Sequence, residues 1–207
     1  YHQDREIPLE QVLSIDFFTV HPQAYWEWFA QENAREGVAP NDAHRFVADL
    51  ERAGKLSAVV TQNIDGLHQQ AGSERVLELH GNWSRLTCTG CGERFTLDDV
   101  AAARSGEVPH CPACASVLRP DIVFYGEMLD SDVIEGAVRA ISEADLLIVA
   151  GTSLVVYPAA GLIDYYAGER LVLMNATPTP YDSRADLIIR EPVGQVFEEL
   201  ERWSLRP

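Results

Sequence analysis

Leu146-Leu147-Ile148-Val149-Ala150-Gly151-Thr152-Ser153 is an apolar run that breaks at a glycine into two hydroxyl side chains. Short, apolar on both faces and without polar alternation, it reads as a strand buried from both sides, the mark of a parallel sheet. Four more runs share that character, at residues 56–61, 76–79, 171–175 and 187–189. Helical patterns lie between them. Residues 132–143 put Val133, Ile134, Ala137, Val138 and Ile141 on one face behind a Ser131 cap, and 158–167 open with a proline at a helix start. Val196, Phe197, Leu200 and Trp203 line a last helix. Strands alternating with helices predict an α/β fold, a parallel sheet covered by helices on both faces.

Upstream the period is helical. Tyr25, Trp26 and Phe29 recur at three- and four-residue spacing, and Ala43, Phe46, Val47 and Leu50 repeat it, with Asn41 as a cap and Gly54 as a terminator. A chain of 207 residues suits one large domain or one with a small insert. With 46% hydrophobic and 23% charged residues, disorder, collagen and coiled coil are excluded as whole-chain descriptions. No apolar run approaches the roughly 18 residues needed to span a bilayer, and no signal-peptide pattern opens the chain, so a cytoplasmic protein without a membrane partner is expected. The formal charge of −16 would repel DNA, so no direct nucleic-acid binding is expected and a basic partner fits better. Tyr1 begins a polar stretch with no strand ahead of it, which predicts that an upstream segment has been removed.

Cys88 and Cys91, then nineteen residues, then Cys111 and Cys114 account for all the cysteines. This C-x2-C, C-x2-C spacing matches a four-thiolate zinc site. Thr-Gly and Pro-Ala fill the two turns, each able to aim two sulfurs at one tetrahedral ion. Four thiolates would leave no open position for water or substrate, so the metal would be structural. Two disulfides or free core thiols are the alternatives, disfavoured by a reducing compartment, and His110 could replace one thiolate.

Ligands of open α/β sheets sit at the carboxyl ends of strands, so the residues just after each apolar run are the informative ones. After 58–60 comes Thr61-Gln62-Asn63-Ile64-Asp65-Gly66-Leu67-His68, a cluster of amides and a carboxylate. After 76–79 comes His80-Gly81. Backbone amides around Gly151, Thr152 and Ser153 could hold phosphate or ribose oxygens. A lone histidine at a strand end can equally be a satisfied core residue, and His2, His21 and His44 are read that way.

Taken together, TQNIDGLHQQAG (61–72), ELHG (78–81), the two C-x2-C pairs, RPDIVFYGE (119–127), GTSLVVYPAA (151–160) and LMNATPTPYD (173–182, with Leu171 and Val172 ahead of them) resemble a sirtuin, the family of NAD-dependent protein-lysine deacylases. The resemblance implies a Rossmann-like NAD-binding domain at 56–84 and 121–207, a zinc ribbon at 85–120, and a remnant of the cofactor-binding loop with a helical module at 1–55. It implies NAD as co-substrate, one structural zinc per chain, and an acyl-lysine protein or peptide as partner. In the family's reaction the acyl oxygen attacks the nicotinamide ribose and nicotinamide leaves. A histidine then deprotonates a ribose hydroxyl, and the products are free lysine, nicotinamide and O-acetyl-ADP-ribose.

His80 matches that base, a sensible choice because imidazole titrates near pH 6.5. Gln62, Asn63, Ile64 and Asp65 match the surroundings of the nicotinamide ribose and carboxamide, with Gln62 and Asn63 counted as catalytic alongside His80. Gly151, Thr152, Ser153, Asn175, Ala176 and Thr177 match the rest of the NAD site, and Val193 a contact near the adenine. Ile122, Val123 and Phe124 match the apolar walls around acyl-lysine. The family's Gly-Ala-Gly turn and Pro-Asp-Phe-Arg segment do not occur in this sequence. Members that remove succinyl groups carry a Tyr-x-x-Arg pair, aligned here with Phe29 and Glu32, so neutral acyl groups are expected to be preferred. Protein ADP-ribosyl transfer, or an inactive zinc-ribbon interaction module, are the alternative functions.

Overall fold

The computed structural model of the chain describes residues 7–33 and 38–204. His2 therefore lies outside the described residues. Among these residues run eight strands: β1 (Val59–Thr61), β2 (Val76–Glu78), β3 (Gly81–Cys88), β4 (Arg94–Thr96), β5 (Leu118–Ile122), β6 (Leu147–Ala150), β7 (Leu171–Met174) and β8 (Leu187–Ile189). The α-helices are α1 (Leu9–Val12), α2 (Ile15–Val20), α3 (Pro22–Asn33), α4 (Asp42–Arg52), α5 (Leu67–Gln70), α6 (Ala101–Ser105), α7 (Ser131–Ser142) and α8 (Val193–Ser204).

All five apolar runs form parallel strands, trimmed to the stretch where a neighbour pairs with them. β1 lies parallel to β2 with Val59 opposite Val76, and β6, β7 and β8 form a second parallel sheet in that order. The expected α/β fold is present, but its parallel strands fall in two sheets, and burial on both faces holds only for the central strand. Leu171, Leu173 and Met174 of β7 are buried, whereas Ile148 on β6 and Leu187 and Ile188 on β8 stay exposed at the flanks. β3, β4 and β5 make an antiparallel sheet with β3 in the middle.

Two helix starts differ from expectation. Asp130, not Ser131, caps α7: its carboxylate accepts from the backbone N–H of Asp132 at 2.9 Å and Val133 at 3.1 Å, and its charge suits the positive end of the helix better than a hydroxyl. The proline-led segment is a 3-10 helix, Ala159–Tyr165, preceded by Pro158. Asn41 does cap α4, accepting from the N–H of His44 at 3.2 Å, while the His44 ring reaches back to the N–H of Asn41. That reciprocal box satisfies two donors that the helix itself leaves orphaned.

The chain divides into two compact units. One holds the described residues up to 38 with Asn63–Gly66 and His80–Leu129. Its core is aromatic: Tyr25, Trp26 and Phe29 on α3 are wholly buried, and Tyr25 meets Phe18 edge-on at 5.0 Å and Phe124 at 5.5 Å between ring centroids. The other holds Ala39–Gln62, Leu67–Leu79 and the described residues from 130 onward. There Ala137 and Ile141 of α7 pack with Leu162, Ile163 and Leu173, and Phe46 of α4 meets Phe197 of α8 at 5.5 Å.

Candidate active site and metal centre

The cysteines come together because β3 ends on Cys88, the chain turns through Thr89 and Gly90 to Cys91, and a second turn carries Cys111 and Cys114 just before β5. All four sulfurs lie within 4.8 Å of one another, with Cys88 to Cys114 at 3.3 Å and Cys91 to Cys111 at 3.7 Å, and none is in a disulfide. A tetrahedron built on Zn–S bonds of about 2.3 Å has sulfur–sulfur edges of roughly 3.8 Å, so the donor set fits one zinc ion. Backbone N–H groups of Gly90 and Cys91 point at the Cys88 sulfur, each at 3.4 Å, as they would to support a thiolate. The N–H of Cys91 is the main cause that holds the Cys88 thiol below its usual value. The Ser116 hydroxyl, followed by its backbone N–H, holds Cys114 down to about 6. His110 is not in the cluster; its Nδ1 lies 2.9 Å from the Ala115 carbonyl oxygen.

In the same unit, His80 sits in the turn between β2 and β3, partly buried. Its carbonyl accepts the N–H of Val123 at 2.9 Å, so the backbone of His80 is tied to the chain just beyond β5. Gly81 makes the approach possible: it has φ +75°, and a Cβ there would stand 2.0 Å from the Asp121 carbonyl oxygen. Of the remaining candidates in this unit, Asn63 is exposed and Ile64 and Asp65 partly buried, with the Ile64 carbonyl held by the N–H of Trp83 at 3.1 Å. Ile122 and Phe124 are buried in the core of the unit, and Val123 between them is partly buried.

The second unit brings Gln62 and Thr152 together, the amide Nε2 lying 3.4 Å from the hydroxyl that also accepts from Leu154 N–H at 3.2 Å. Gly151 donates its N–H to the Met174 carbonyl at 2.9 Å, and Ser153 next along is exposed. After β7, the Asn175 side chain donates to the Thr177 carbonyl at 2.8 Å, with the exposed Ala176 between them. Val193 is the first residue of α8.

Arg190 joins the site although no motif of the sequence marks it. Its guanidinium donates to the carbonyls of Asn175 and Thr177, both at 2.9 Å, and is itself held by Asp182, whose carboxyl is kept below the usual range first by the Thr179 hydroxyl and also by Arg190. A basic residue directly after an apolar strand in so acidic a chain was the available signal. His44, a lone histidine by sequence, completes the α4 cap, and its ring centroid lies 4.7 Å from that of His68.

Residues 2–158 match the Sir2 family model. An "NAD-dependent protein deacetylase" of Clostridium acetobutylicum is 48% identical over 191 residues, 92% of this chain and 78% of that protein. A protein of the same name from Cutibacterium acnes is 43% identical over 96% of this chain and 80% of its own length. Among solved structures, "Sir2 bound to acetylated peptide" aligns with a TM-score of 0.86 at 42% identity, covering 94% of this chain and 83% of that one. A "Sir2 homolog-NAD complex" aligns at 0.84 and 37%, over 96% and 78% of the respective chains.

Proposed function

The chain belongs to the Sir2 family, and from that premise we propose that it is an NAD-dependent protein-lysine deacetylase that yields nicotinamide, deacylated lysine and O-acetyl-ADP-ribose. The observation that carries the reading is the His80 turn, fixed by the 2.9 Å bond from Val123 N–H to the His80 carbonyl. That bond ties the proposed base directly to the segment proposed to hold acyl-lysine. NAD, when bound, supplies the ribose carbon and hydroxyls on which the acyl group is taken up. His80 accepts a proton from a ribose hydroxyl, a role that contributes roughly 10²–10⁴-fold in rate for a positioned base. Gln62, Asn63 and Asp65 offer amide and carboxylate groups to the nicotinamide end. Gly151, Thr152, Ser153, Asn175, Ala176 and Thr177 offer backbone and side-chain donors and acceptors to the remainder, and Val193 an apolar contact. Ile122, Val123 and Phe124 exclude water from the acyl-lysine side chain.

Cys88, Cys91, Cys111 and Cys114 hold one zinc ion, which stiffens the antiparallel sheet and leaves no coordination position for chemistry. Neutral acyl groups are preferred, because the positions aligned with the Tyr-x-x-Arg pair are Phe29 and Glu32, an apolar ring and a negative charge that offer no partner to an acyl carboxylate. A cytoplasmic location is supported by four thiols without a disulfide, and no helix among the described residues is long and apolar enough to cross a membrane.

The test is nicotinamide release from NAD by the zinc-loaded, full-length protein, with and without an acetyl-lysine peptide. Release that depends on the peptide and matches deacetylation one to one is expected. Folded, zinc-loaded protein that binds the peptide and releases none would overturn the proposal.

A further inference from the structure

We propose that Arg119 and Glu127 are positioning residues, a clamp that sets the backbone of the acyl-lysine segment and, through it, the His80 turn. The proposal rests on the roles given to Ile122–Phe124 and His80 under the function above.

Arg119 lies on β5 and Glu127 eight residues later, beyond the turn after the strand. The guanidinium meets the carboxylate in fork geometry, NH1 to Oε1 and NH2 to Oε2, both at 2.8 Å. Each partner also grips the backbone they enclose: Arg119 donates to the Ile122 carbonyl at 3.0 Å, and the Glu127 carboxylate accepts the Phe124 N–H at 3.0 Å. The guanidinium carbon stands 5.1 Å from the centroid of the Phe124 ring. Both side chains are three-quarters buried, which shields the pair from water and counter-ions. The hydrogen bonds within the pair hold the Glu127 carboxyl below its ordinary range and the guanidinium above its own.

The arrangement leaves one residue in the middle with its N–H directed elsewhere. Val123, between the clamped Ile122 carbonyl and the clamped Phe124 N–H, donates to the His80 carbonyl. An ion pair that served only to glue two surfaces would not also need to hold these two peptide groups, and Arg119 Nε adds a longer contact of 3.5 Å to the Pro120 carbonyl. A bidentate guanidinium–carboxylate pair fixes angles as well as distance, which suits it to hold a bend in register. Neither side chain is assigned to touch substrate, so loss of the clamp should loosen the segment without removing any reacting group.

Four full-length proteins test this: wild type, Glu127→Gln, Arg119→Lys, and the charge-swapped Arg119→Glu/Glu127→Arg. Zinc content and melting temperature establish that each is folded. In Glu127→Gln, KM for the acetyl-lysine peptide is expected to rise about tenfold, NAD affinity measured without peptide to stay within twofold, and amide exchange at Val123 and Phe124 to accelerate at least tenfold. Arg119→Lys should recover only part of the loss, because an ammonium cannot reach both carboxylate oxygens and the Ile122 carbonyl at once. The swapped pair should regain thermal stability yet keep the raised KM, since its side chains no longer offer the right donor and acceptor to the two peptide groups.

Peptide KM unchanged in Glu127→Gln, or restored by the swap together with stability, would overturn the clamp. So would equal losses for NAD and peptide. If wild type shows no turnover at all, the function proposed above fails on that result alone. The exchange rates at Val123 and Phe124 then still decide the clamp, since they require no activity.

Discussion

Replacing Gly81 with alanine separates two costs that the structure allows to be worked out. Gly81 and Gly92 both have φ +75°, in the same compact unit, so alanine at either position carries the same left-handed backbone penalty, about 1–2 kcal/mol. They differ in surroundings. A Cβ on Gly92 has nothing within 4 Å, whereas on Gly81 it stands 2.0 Å from the Asp121 carbonyl oxygen and 3.0 Å from the Ile122 Cα. Both obstacles are backbone, so β5 must move. Movement breaks the Val123 to His80 bond, which flanks the register pair of Gly81 with Ile122. At about 1 kcal/mol for that hydrogen bond, Gly81→Ala is expected to lose at least about 1 kcal/mol more than Gly92→Ala. For a chain of this size that gap is about 2–4 °C in melting temperature. Calorimetry of both variants in saturating zinc, which keeps metal occupancy equal, measures it. Because His80 loses its tie to the chain just beyond β5, deacetylation should also fall in Gly81→Ala and hold in Gly92→Ala. Equal melting temperatures and equal activities would refute the close approach of the His80 turn to β5.

Three further outcomes are expected. Cys88→Ser should lose zinc, read by metal analysis, and expose the antiparallel sheet to protease, because four donors are needed to close the site. Glu127 and Asp182 bind fewer protons folded than unfolded, so their stabilisation is complete above the ordinary carboxylate range, near pH 4, and is lost as pH falls through their lower folded values. The urea-midpoint advantage of wild type over Asp182→Asn should therefore be constant from pH 7 to 5 and shrink below about pH 4; an advantage that grows on acidification would contradict it. On matched peptides, deacetylation should exceed desuccinylation in kcat/KM, and Phe29→Tyr/Glu32→Arg should narrow the gap.

Much of this was written in local sequence. Five apolar runs located five strands because a buried strand needs little beyond its own residues, and C-x2-C spacing brought four sulfurs together because each turn is short. Asn41 capped α4 as its side chain predicts. Features that depend on distant partners were not legible. The exposed flanks of Ile148 and Leu187 arise from strand order, which no single run encodes. Asp130 displaced Ser131 at the start of α7 because two adjacent residues could both cap, and a charge decided between them. At the candidate site, the residue types were readable but their supports were not. Arg190 behind Asn175 and Thr177, and Arg119 with Glu127 around Val123, join residues through tertiary bonds to peptide groups, which leave no periodic trace.

His80 is proposed to remove a proton in the acyl-transfer step. His80→Ala, compared with wild type at saturating NAD and acetyl-lysine peptide, tests it directly. Turnover should fall by about 10²-fold or more, with zinc content, melting temperature and peptide affinity unchanged. A variant that retains a third or more of wild-type kcat would show that another group does the work.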